Sequence, residues 1–452
     1  MSLYDSNGRT ISVQNEVEQM GDPQRRWTIA WCHTADSGGS KRAAFEMVRE
    51  LAKRGHVIDE YILRIGEPNL KHWPLTPFVR NSYRVSVPPL VNRYRPYLLA
   101  VWMGLLQEGR QMNVLARQYH DLGSVLKRRG YDFVHLDHCF PSYTVQLSEH
   151  LPLPSIVYSH EATDARFQGQ GLFDCPQGTP WLKRKYLELC NSAITKVAEL
   201  RRKHDLAGLH AAGKILTNSC YSREALYQRN QMDSSVCRYG VDVDTFKSLS
   251  LPRRRAVLSA GRIVEKKQHH LVIEAVATIA ESERPCVIVA TPETIERQED
   301  PSYAHRLEQM AKDLRVSLEI RRKPPEHELV QLYNEVTALV FLPNMEPFGL
   351  VALEAMACGA PVIGVREAGI RESVIDGMTG ILVSRNADDA GRAIVRLLRD
   401  PELRDRMSRQ AVEYVRREWV WERTVDCYLR EVERVMSSLV PPGLHRSACI
   451  GR

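Results

Sequence analysis

Two glutamates in the second half of the chain, Glu346 and Glu354, have seven residues between them. The apolar run 338–342 before them is typical of a buried parallel strand, and the helix formers that follow end at Gly359. This order of strand, turn and helix puts Glu346 in the turn and Glu354 on the helix. Carboxylates at such positions can accept hydrogen bonds from the hydroxyls of a sugar or a ribose.

The turn between the glutamates, Pro347-Phe348-Gly349, leaves the first backbone N–H groups of the helix without intrahelical partners. With the positive end of the helix dipole, these groups form a site suited to phosphate. The pattern therefore favours a ligand with a phosphate between two hydroxyl-bearing groups. The alternative is an ordinary helix start with solvated glutamates, the usual situation for surface carboxylates.

The segment Glu346–Ile363, EPFGLVALEAMACGAPVI, resembles the signature of the family 4 retaining glycosyltransferases. Members of that family have the GT-B fold, in which two Rossmann-like domains face each other across a cleft. The resemblance implies that Glu354 holds the ribose hydroxyls of a nucleotide sugar and that Glu346 contacts the transferred sugar. The donor-binding residues that it implies at the turn are Phe348, Gly349 and Leu350.

Two cations, Arg262 and Lys267, follow the predicted strand 256–260 and precede a predicted helix. Cations placed between a strand end and a helix can clamp a diphosphate, although a solvated basic loop is the alternative. The family carries Arg and Lys at these two positions as its diphosphate clamp. Gln268 stands where the family usually has glycine, which is a departure in the geometry of this loop.

A second glycine-bearing loop lies near the start of the chain, where the strand 27–31 leads through Gly38 and Gly39 into a helix. With the strand that follows at 57–63, this is a βαβ unit of the doubly wound class. A paired glycine at a helix start can be a tight turn only. The resemblance implies instead that Gly38 and Gly39 approach the acceptor and the phosphates of the donor.

His160 comes directly after the predicted strand 155–158, at the strand edge where open α/β sheets bind ligands. A single histidine is more often structural than functional. The family carries a histidine at this point, beside the transferred sugar, so the resemblance implies a catalytic role for His160.

The alternation of strands and helices predicts an α/β protein with two Rossmann-like, doubly wound domains. We expect a flexible tail at 1–25, an acceptor-side domain at 26–249, and a nucleotide-sugar-binding domain at 250–419. A last helix, 420–437, is expected to pack back on the first domain. Residues 438–452 are expected to be a second flexible tail.

The net charge of +7 is concentrated between Arg80 and Arg129, where nine Lys/Arg face two acids around the apolar run 97–106. No nucleic-acid-binding motif accompanies the charge. A basic, solvated helix face is one interpretation. The other is peripheral contact of segment 80–129 with an anionic membrane, with Trp102, Leu105 and Leu106 in the headgroup region. The chain shows neither a signal peptide nor an apolar run long enough to span a bilayer, so we expect a cytoplasmic protein, with that contact at the inner membrane face.

The sequence thus predicts a hexosyltransferase that retains configuration and moves a sugar from a nucleotide diphosphate sugar to an acceptor hydroxyl. The cation clamp suggests that transfer needs no metal and no cofactor beyond the nucleotide sugar, and the lack of an obvious nucleophile suggests front-face attack. A glycan, a lipid-linked molecule or a small molecule could be the acceptor. The alternatives are an epimerase or phosphorylase of similar fold, and a non-catalytic nucleotide-sugar-binding protein.

Overall fold

The structure is a computed structural model. It describes residues 3–4, 10–11, 25–34, 38–64, 73–87, 98–138, 144–160, 179–291 and 301–439. Two short antiparallel strands, β1 (Leu3–Tyr4) and β2 (Thr10–Ile11), lie within the segment expected to be a tail. Of the predicted second tail, 438–452, Ser438 is the last residue of a helix, and the residues after 439 lie outside the described residues.

The first domain contains a seven-stranded parallel sheet with the strand order β5-β4-β3-β6-β7-β8-β9. Its central strands are buried over nearly their whole length, as expected for a parallel sheet covered by helices on both faces. Its strands are β3 (Thr28–His33), β4 (Val57–Arg64), β5 (Asn81–Ser86), β6 (Phe133–His138), β7 (Ser155–Ser159), β8 (Lys214–Thr217) and β9 (Ser235–Val236). Its helices are α1 (Gly39–Lys53), α2 (Leu98–Arg128), α3 (Trp181–Ala211) and α4 (Cys220–Asn230), with a 3-10 helix at Thr144–His150.

The second domain contains a six-stranded parallel sheet with the order β12-β11-β10-β13-β14-β15. Its strands are β10 (Ala256–Ala260), β11 (Cys286–Thr291), β12 (Leu318–Arg322), β13 (Ala338–Phe341), β14 (Val362–Val365) and β15 (Gly380–Val383). Its helices are α5 (His269–Ala277), α6 (Pro301–Asp313), α7 (Glu326–Glu335), α8 (Leu350–Ala357), α9 (Ile370–Ser373), α10 (Ala387–Arg399) and α11 (Pro401–Glu418). Two short 3-10 helices lie at Glu265–Lys267 and Glu281–Glu283. The predicted α/β class with two doubly wound sheets is confirmed.

The last helix, α12 (Trp421–Ser438), returns to the first domain and packs against α1. Arg54, directly after α1, donates a hydrogen bond to Asp426 at 2.6 Å, and the Tyr428 hydroxyl lies 2.9 Å from Nδ1 of His135 in β6. The chain therefore crosses between its domains twice, once near residue 250 and once at the start of α12.

Candidate functional site

The carboxyl edges of the two sheets face each other, and the loops that leave those edges are in contact. The side chain of Leu350, at the start of α8, would lie 3.5 Å from a Cβ placed on Gly39. Ser219 of the first domain donates a hydrogen bond to the carbonyl of Pro347 at 2.7 Å. The rings of Tyr239 and Phe348 meet edge to face, 4.8 Å between centroids. The cleft is therefore closed in this structure, with the N-termini of α1 and α8 on its two sides.

Both of these helices begin after a glycine in the left-handed region of backbone conformation. Gly349 has φ +88°, and a Cβ there would lie 2.4 Å from Cδ1 of Ile370. Gly38, before α1, also has φ +88°. A side chain at Gly349 would therefore face both backbone strain and a collision. Glycine lets the chain turn sharply enough to present the first N–H groups of α8 to the cleft.

Glu346 and Lys267 form an ion pair at the start of α8, with Nζ 2.8 Å from Oε2. Burial raises the pKa of Glu346, but the charges of Lys267, Lys266 and Arg262 lower it more, so that the net shift is downward. Glu346 is therefore ionised at neutral pH. The sequence assigned these two residues to different parts of the donor, and the structure brings them into direct contact.

The loop that carries Arg262 and Lys267 ends in a left-handed residue at position 268, a conformation that glycine adopts readily. Gln268 has φ 56° and ψ 37°, and its backbone N–H donates to the Glu265 carbonyl at 2.9 Å. His269 fixes the other side of the loop, because its ring bonds Ser259 at 2.8 Å and the Arg262 carbonyl at 3.0 Å. Burial lowers the pKa of His269 to about 4, so this imidazole is neutral. The departure at Gln268 thus leaves the left-handed turn in place.

Glu354 is buried and engaged through both carboxylate oxygens. Oε1 accepts a hydrogen bond from Arg42 of α1 at 2.7 Å, and Oε2 accepts one from the Tyr333 hydroxyl at 3.0 Å. The Arg42 guanidinium also lies 3.4 Å from Glu326 and 4.6 Å from the centroid of the Phe246 ring. Arg42 therefore connects the first domain to the carboxylate predicted to bind ribose. Sequence reasoning missed Arg42 and Tyr333, because nothing local pairs them with Glu354.

His160 lies at the carboxyl end of β7, as predicted, and it is buried on the first-domain side of the cleft. Its Nε2 is 2.8 Å from Oδ1 of Asp137, and its Nδ1 bonds the hydroxyl of Tyr239. Its carbonyl accepts a hydrogen bond from Asn218 at 2.8 Å. A sugar hydroxyl could therefore use a ring nitrogen of His160 only by sharing or displacing one of these partners. Asp137 and Tyr239 were not identified from the sequence.

A carboxylate of the second domain closes the cleft at its edge by capping a helix of the first. Glu372 accepts hydrogen bonds from the backbone N–H groups of Cys220 at 2.9 Å and Tyr221 at 2.8 Å, in the first turn of α4. Arg238 lies 3.5 Å from the same carboxylate. The negative charge at a helix N-terminus is favourable, so this contact stabilises closure.

We expect Glu372→Ala to shift the protein toward an open cleft, because two charge-assisted hydrogen bonds between the domains are lost, together worth about 2 kcal/mol or more. Small-angle X-ray scattering checks this prediction: Glu372→Ala should have a larger radius of gyration than the wild type. Glu224→Ala is the matched control. Glu224 forms an exposed interdomain ion pair with Arg371 at 3.3 Å, and the loss of such a pair should change little. Identical scattering of Glu372→Ala and the wild type would contradict the capping role.

Comparison with known proteins finds a family model that matches most of the second domain. Residues 242–414 match the family model described as glycosyl transferases group 1. A D-inositol 3-phosphate glycosyltransferase of Frankia alni is 34% identical over 41% of this chain and 50% of that protein. A protein of the same name from Nocardiopsis dassonvillei is 25% identical over 96% of this chain and 99% of that protein. The chain spans about half the length of most of the curated relatives it matches.

Solved structures share the whole two-domain arrangement. Sucrose-phosphate synthase from Thermosynechococcus elongatus superposes with a TM-score of 0.67 at 21% identity, covering 92% of this chain and 100% of that one. Anabaena HepE in complex with UDP and glucose has a TM-score of 0.64 at 15% identity, covering 92% and 100%. At these identities the likeness shows the fold alone. Residues 242–414 are thus a domain of the glycosyl transferases group 1, and the chain as a whole has the GT-B fold of glycosyltransferases.

Proposed function

We propose that the protein transfers a glycosyl group from a nucleotide diphosphate sugar to an acceptor hydroxyl with retention of configuration. The observation that carries this proposal is the Lys267–Glu346 ion pair at the N-terminus of α8, inside a closed cleft between two Rossmann-like domains. It combines a cation and the positive end of a helix dipole for a diphosphate with an ionised carboxylate for a sugar. A glycosyl donor needs both.

The diphosphate would lie between Arg262, Lys267 and the first turn of α8. An ammonium group has three donors, so Lys267 can contact a phosphate oxygen while it stays bonded to Glu346. Positive charge fixed in this position stabilises the charge that develops on the leaving diphosphate. We propose on this ground that transfer proceeds without a metal ion and without a further cofactor.

In the front-face mechanism that we propose, the acceptor hydroxyl attacks from the side that the leaving group departs from. The bond between the sugar and the diphosphate breaks, the bond to the acceptor oxygen forms, and a leaving phosphate oxygen takes the acceptor proton. Glu346 and His160 would hold the sugar during this step, and Glu354 would hold the ribose. Closure of the cleft brings the acceptor to the donor and excludes water.

The relatives suggest which substrates to test first. The relative that aligns over 96% of this chain is named a D-inositol 3-phosphate glycosyltransferase, and HepE was solved with UDP and glucose. We therefore propose UDP sugars as the first donors and D-inositol 3-phosphate as the first acceptor, with lipid-linked and glycan acceptors next. Release of nucleoside diphosphate is measured with each donor, with and without acceptor, and in the presence and absence of EDTA.

The outcomes of this experiment separate the candidate functions. Acceptor-dependent release, with a product of the donor's anomeric configuration by NMR, supports retaining transfer. Conversion of the donor without release indicates an epimerase, and release dependent on inorganic phosphate indicates a phosphorylase. Binding of nucleotide sugars without turnover of any donor would overturn the proposal in favour of a binding protein.

We also propose that the first domain contacts an anionic membrane through the part of segment 80–129 near the start of α2, together with the first turns of α3. Trp181 and Leu182 are 68% and 73% exposed, and the next three residues, Lys183–Lys185, are exposed cations. On α2, Met103 and Leu106 are exposed; the side chains of Trp102 and Leu105 lie outside the described residues. Exposed apolar residues next to cations suit a headgroup region.

We infer from the length of α3 that this surface lies beside the cleft. Its 31 residues span about 46 Å, whereas the four residues of β8, which follow it, span about 13 Å. Since α3 ends at the amino edge of the sheet, its first turns extend beyond the carboxyl edge, on the side from which we propose that the acceptor enters. A lipid-linked acceptor would reach the cleft from this side. Within the described residues, no helix is long and apolar enough to cross a membrane.

We expect the protein to co-sediment at low salt with vesicles of phosphatidylcholine and phosphatidylglycerol. The double variant Arg184→Glu/Lys185→Glu should weaken binding by about 30-fold or more, because each cation near an anionic surface contributes about 1 kcal/mol. The matched control is Lys127→Glu/Arg128→Glu, which changes the charge equally at the opposite end of α2 and should bind as the wild type does. If the two double variants lost vesicle binding equally, the binding would be a nonspecific effect of net charge, and the proposed contact surface would be wrong.

A further inference from the structure

A fully buried carboxylate lies directly behind His160. Asp137, in β6, accepts a hydrogen bond from the Trp31 indole at 2.8 Å through Oδ2. Its Oδ1 lies 2.8 Å from Nε2 of His160 and 3.1 Å from Nε2 of His135. Burial raises the pKa of Asp137, but the two histidines lower it more, and the net pKa is well below its usual range. Asp137 is therefore ionised and accepts all three hydrogen bonds.

The ionised state of Asp137 determines which nitrogen of His160 carries a proton. A carboxylate only accepts, so Nε2 of His160 must donate. In the neutral imidazole, Nδ1 is then the acceptor, and its partner, the Tyr239 hydroxyl, is the donor. The three side chains form a chain of hydrogen bonds with one direction, from Tyr239 through His160 to Asp137. The members of such a chain strengthen one another.

Neighbouring groups also fix the plane of the His160 ring. Tyr158 stacks on it with 5.0 Å between centroids and 20° between planes. Tyr239 in turn packs on Tyr158 at 5.7 Å and on Phe348, in the turn before α8, at 4.8 Å. The chain of hydrogen bonds therefore ends against the donor-binding turn of the other domain.

We propose that Asp137 and Tyr239 are positioning residues, which hold His160 in the Nε2–H tautomer and in one plane at the first-domain wall of the cleft. The proposal rests on the proposed function, in which His160 faces the transferred sugar. A fixed tautomer presents a fixed pattern of donor and acceptor atoms. A sugar hydroxyl that enters the site therefore finds the Tyr239 hydroxyl as the donor and Nδ1 of His160 as the acceptor. Asp137 acts through His160 and does not itself reach the cleft.

The structure contains a matched control for this arrangement. His135 donates to the same Asp137 oxygen, and its Nδ1 is bonded to the Tyr428 hydroxyl at 2.9 Å. This second chain has the same chemistry but ends in α12, away from the donor-binding turn. Tyr239→Phe and Tyr428→Phe each remove the hydroxyl that is bonded to one histidine and keep the aromatic ring. The two variants differ mainly in whether His160 or His135 loses its partner.

The first test is kinetic. We expect Tyr239→Phe to lower kcat by about 10- to 100-fold, the loss seen when a metal-bound histidine loses its orienting partner, with the KM for the donor changed by no more than about 3-fold. Tyr428→Phe should leave kcat within about 3-fold of the wild type. Equal kcat values for the two variants would overturn the proposal. Asp137→Asn should lower kcat at least as much as Tyr239→Phe, but it removes a buried charge with three donors and can prevent folding.

The second test does not need turnover. Nitrogen-15 NMR of histidine-labelled protein, with the His160 signals assigned by their loss in His160→Gln, should show Nε2 protonated and Nδ1 unprotonated. In Tyr239→Phe the Nδ1 signal should move toward that of an imidazole without a donor, whereas in Tyr428→Phe it should not move. A wild-type His160 protonated at Nδ1 would contradict the tautomer. If no donor is turned over, the proposed function fails, but this measurement still decides whether Asp137 and Tyr239 position His160.

Discussion

Lys267→Ala should lower the affinity for a free nucleoside diphosphate by about 10- to 150-fold, which corresponds to the about 1.5–3 kcal/mol of a charge-assisted hydrogen bond. The ammonium group of Lys267 is partly buried at the N-terminus of α8 and already contacts Glu346 at 2.8 Å. Its loss removes the cation nearest to the predicted diphosphate and leaves the Glu346 carboxylate without that partner. Arg262→Ala should act in the same direction, through the same clamp.

Isothermal titration calorimetry with UDP and with inorganic pyrophosphate checks this prediction. Both ligands should bind Lys267→Ala more weakly by similar factors, because the lost contact is to phosphate. Lys266→Ala is the matched control, since it removes the same charge from the neighbouring, exposed side chain of the same loop. A variant Lys267→Ala that binds both ligands as the wild type does would show that the diphosphate lies elsewhere.

Elements with a clear hydrophobic period were predictable from the sequence. The apolar run 338–342 and the helix formers after Gly349 identified β13 and α8, because a buried strand and a helix leave different patterns. The resemblance identified the GT-B fold from the same segment. The shape of the loop at Gln268 could not be predicted, since the left-handed conformation there is held by contacts of Gln268 and His269.

The predicted site residues lie around the cleft, but their partners could not be predicted. Arg42 and Glu354 are 312 residues apart, and only the closed arrangement of the two domains brings them together. Asp137 left a weaker signal, because a carboxylate near the end of a strand that is buried along its whole length is unusual. Since β6 and β7 are neighbours, their carboxyl ends place Asp137 and His160 side by side. Tyr239, from the segment after β9, gave no local signal.

If Glu354 binds ribose as we propose, its contact with Arg42 would couple donor binding to closure of the cleft. Each carboxylate oxygen can accept two hydrogen bonds, so ribose hydroxyls could join Arg42 and Tyr333 on Glu354. In that arrangement Arg42 would stay bonded to Glu354 and hold the first domain against the bound nucleotide. The closed cleft would then be completed by the donor, and α1 would contribute to a site whose other residues belong to the second domain.

Replacing Glu354 and Glu346 with glutamine, one at a time, should have different effects on nucleotide binding and on turnover. Glu354→Gln should weaken UDP binding by about 10-fold, because a neutral amide replaces an ionised acceptor of ribose hydroxyls. It should leave pyrophosphate binding nearly unchanged, because pyrophosphate has no ribose. Glu346→Gln should bind UDP as tightly as the wild type or more tightly, since Lys267 is released from its ion pair with Glu346.

Turnover should be affected in the opposite order, with the larger loss in Glu346→Gln. Glu346→Gln should lower kcat by about 10²- to 10³-fold, a loss comparable to that from removing one preorganised contact to the transition state. Glu354→Gln should lower kcat by less than about 10-fold at saturating donor. Steady-state rates are compared with calorimetry on the same preparations, and thermal unfolding confirms that both variants are folded. Equal losses of UDP affinity in the two variants, or a larger loss of kcat in Glu354→Gln, would mean that Glu346 does not face the transferred sugar.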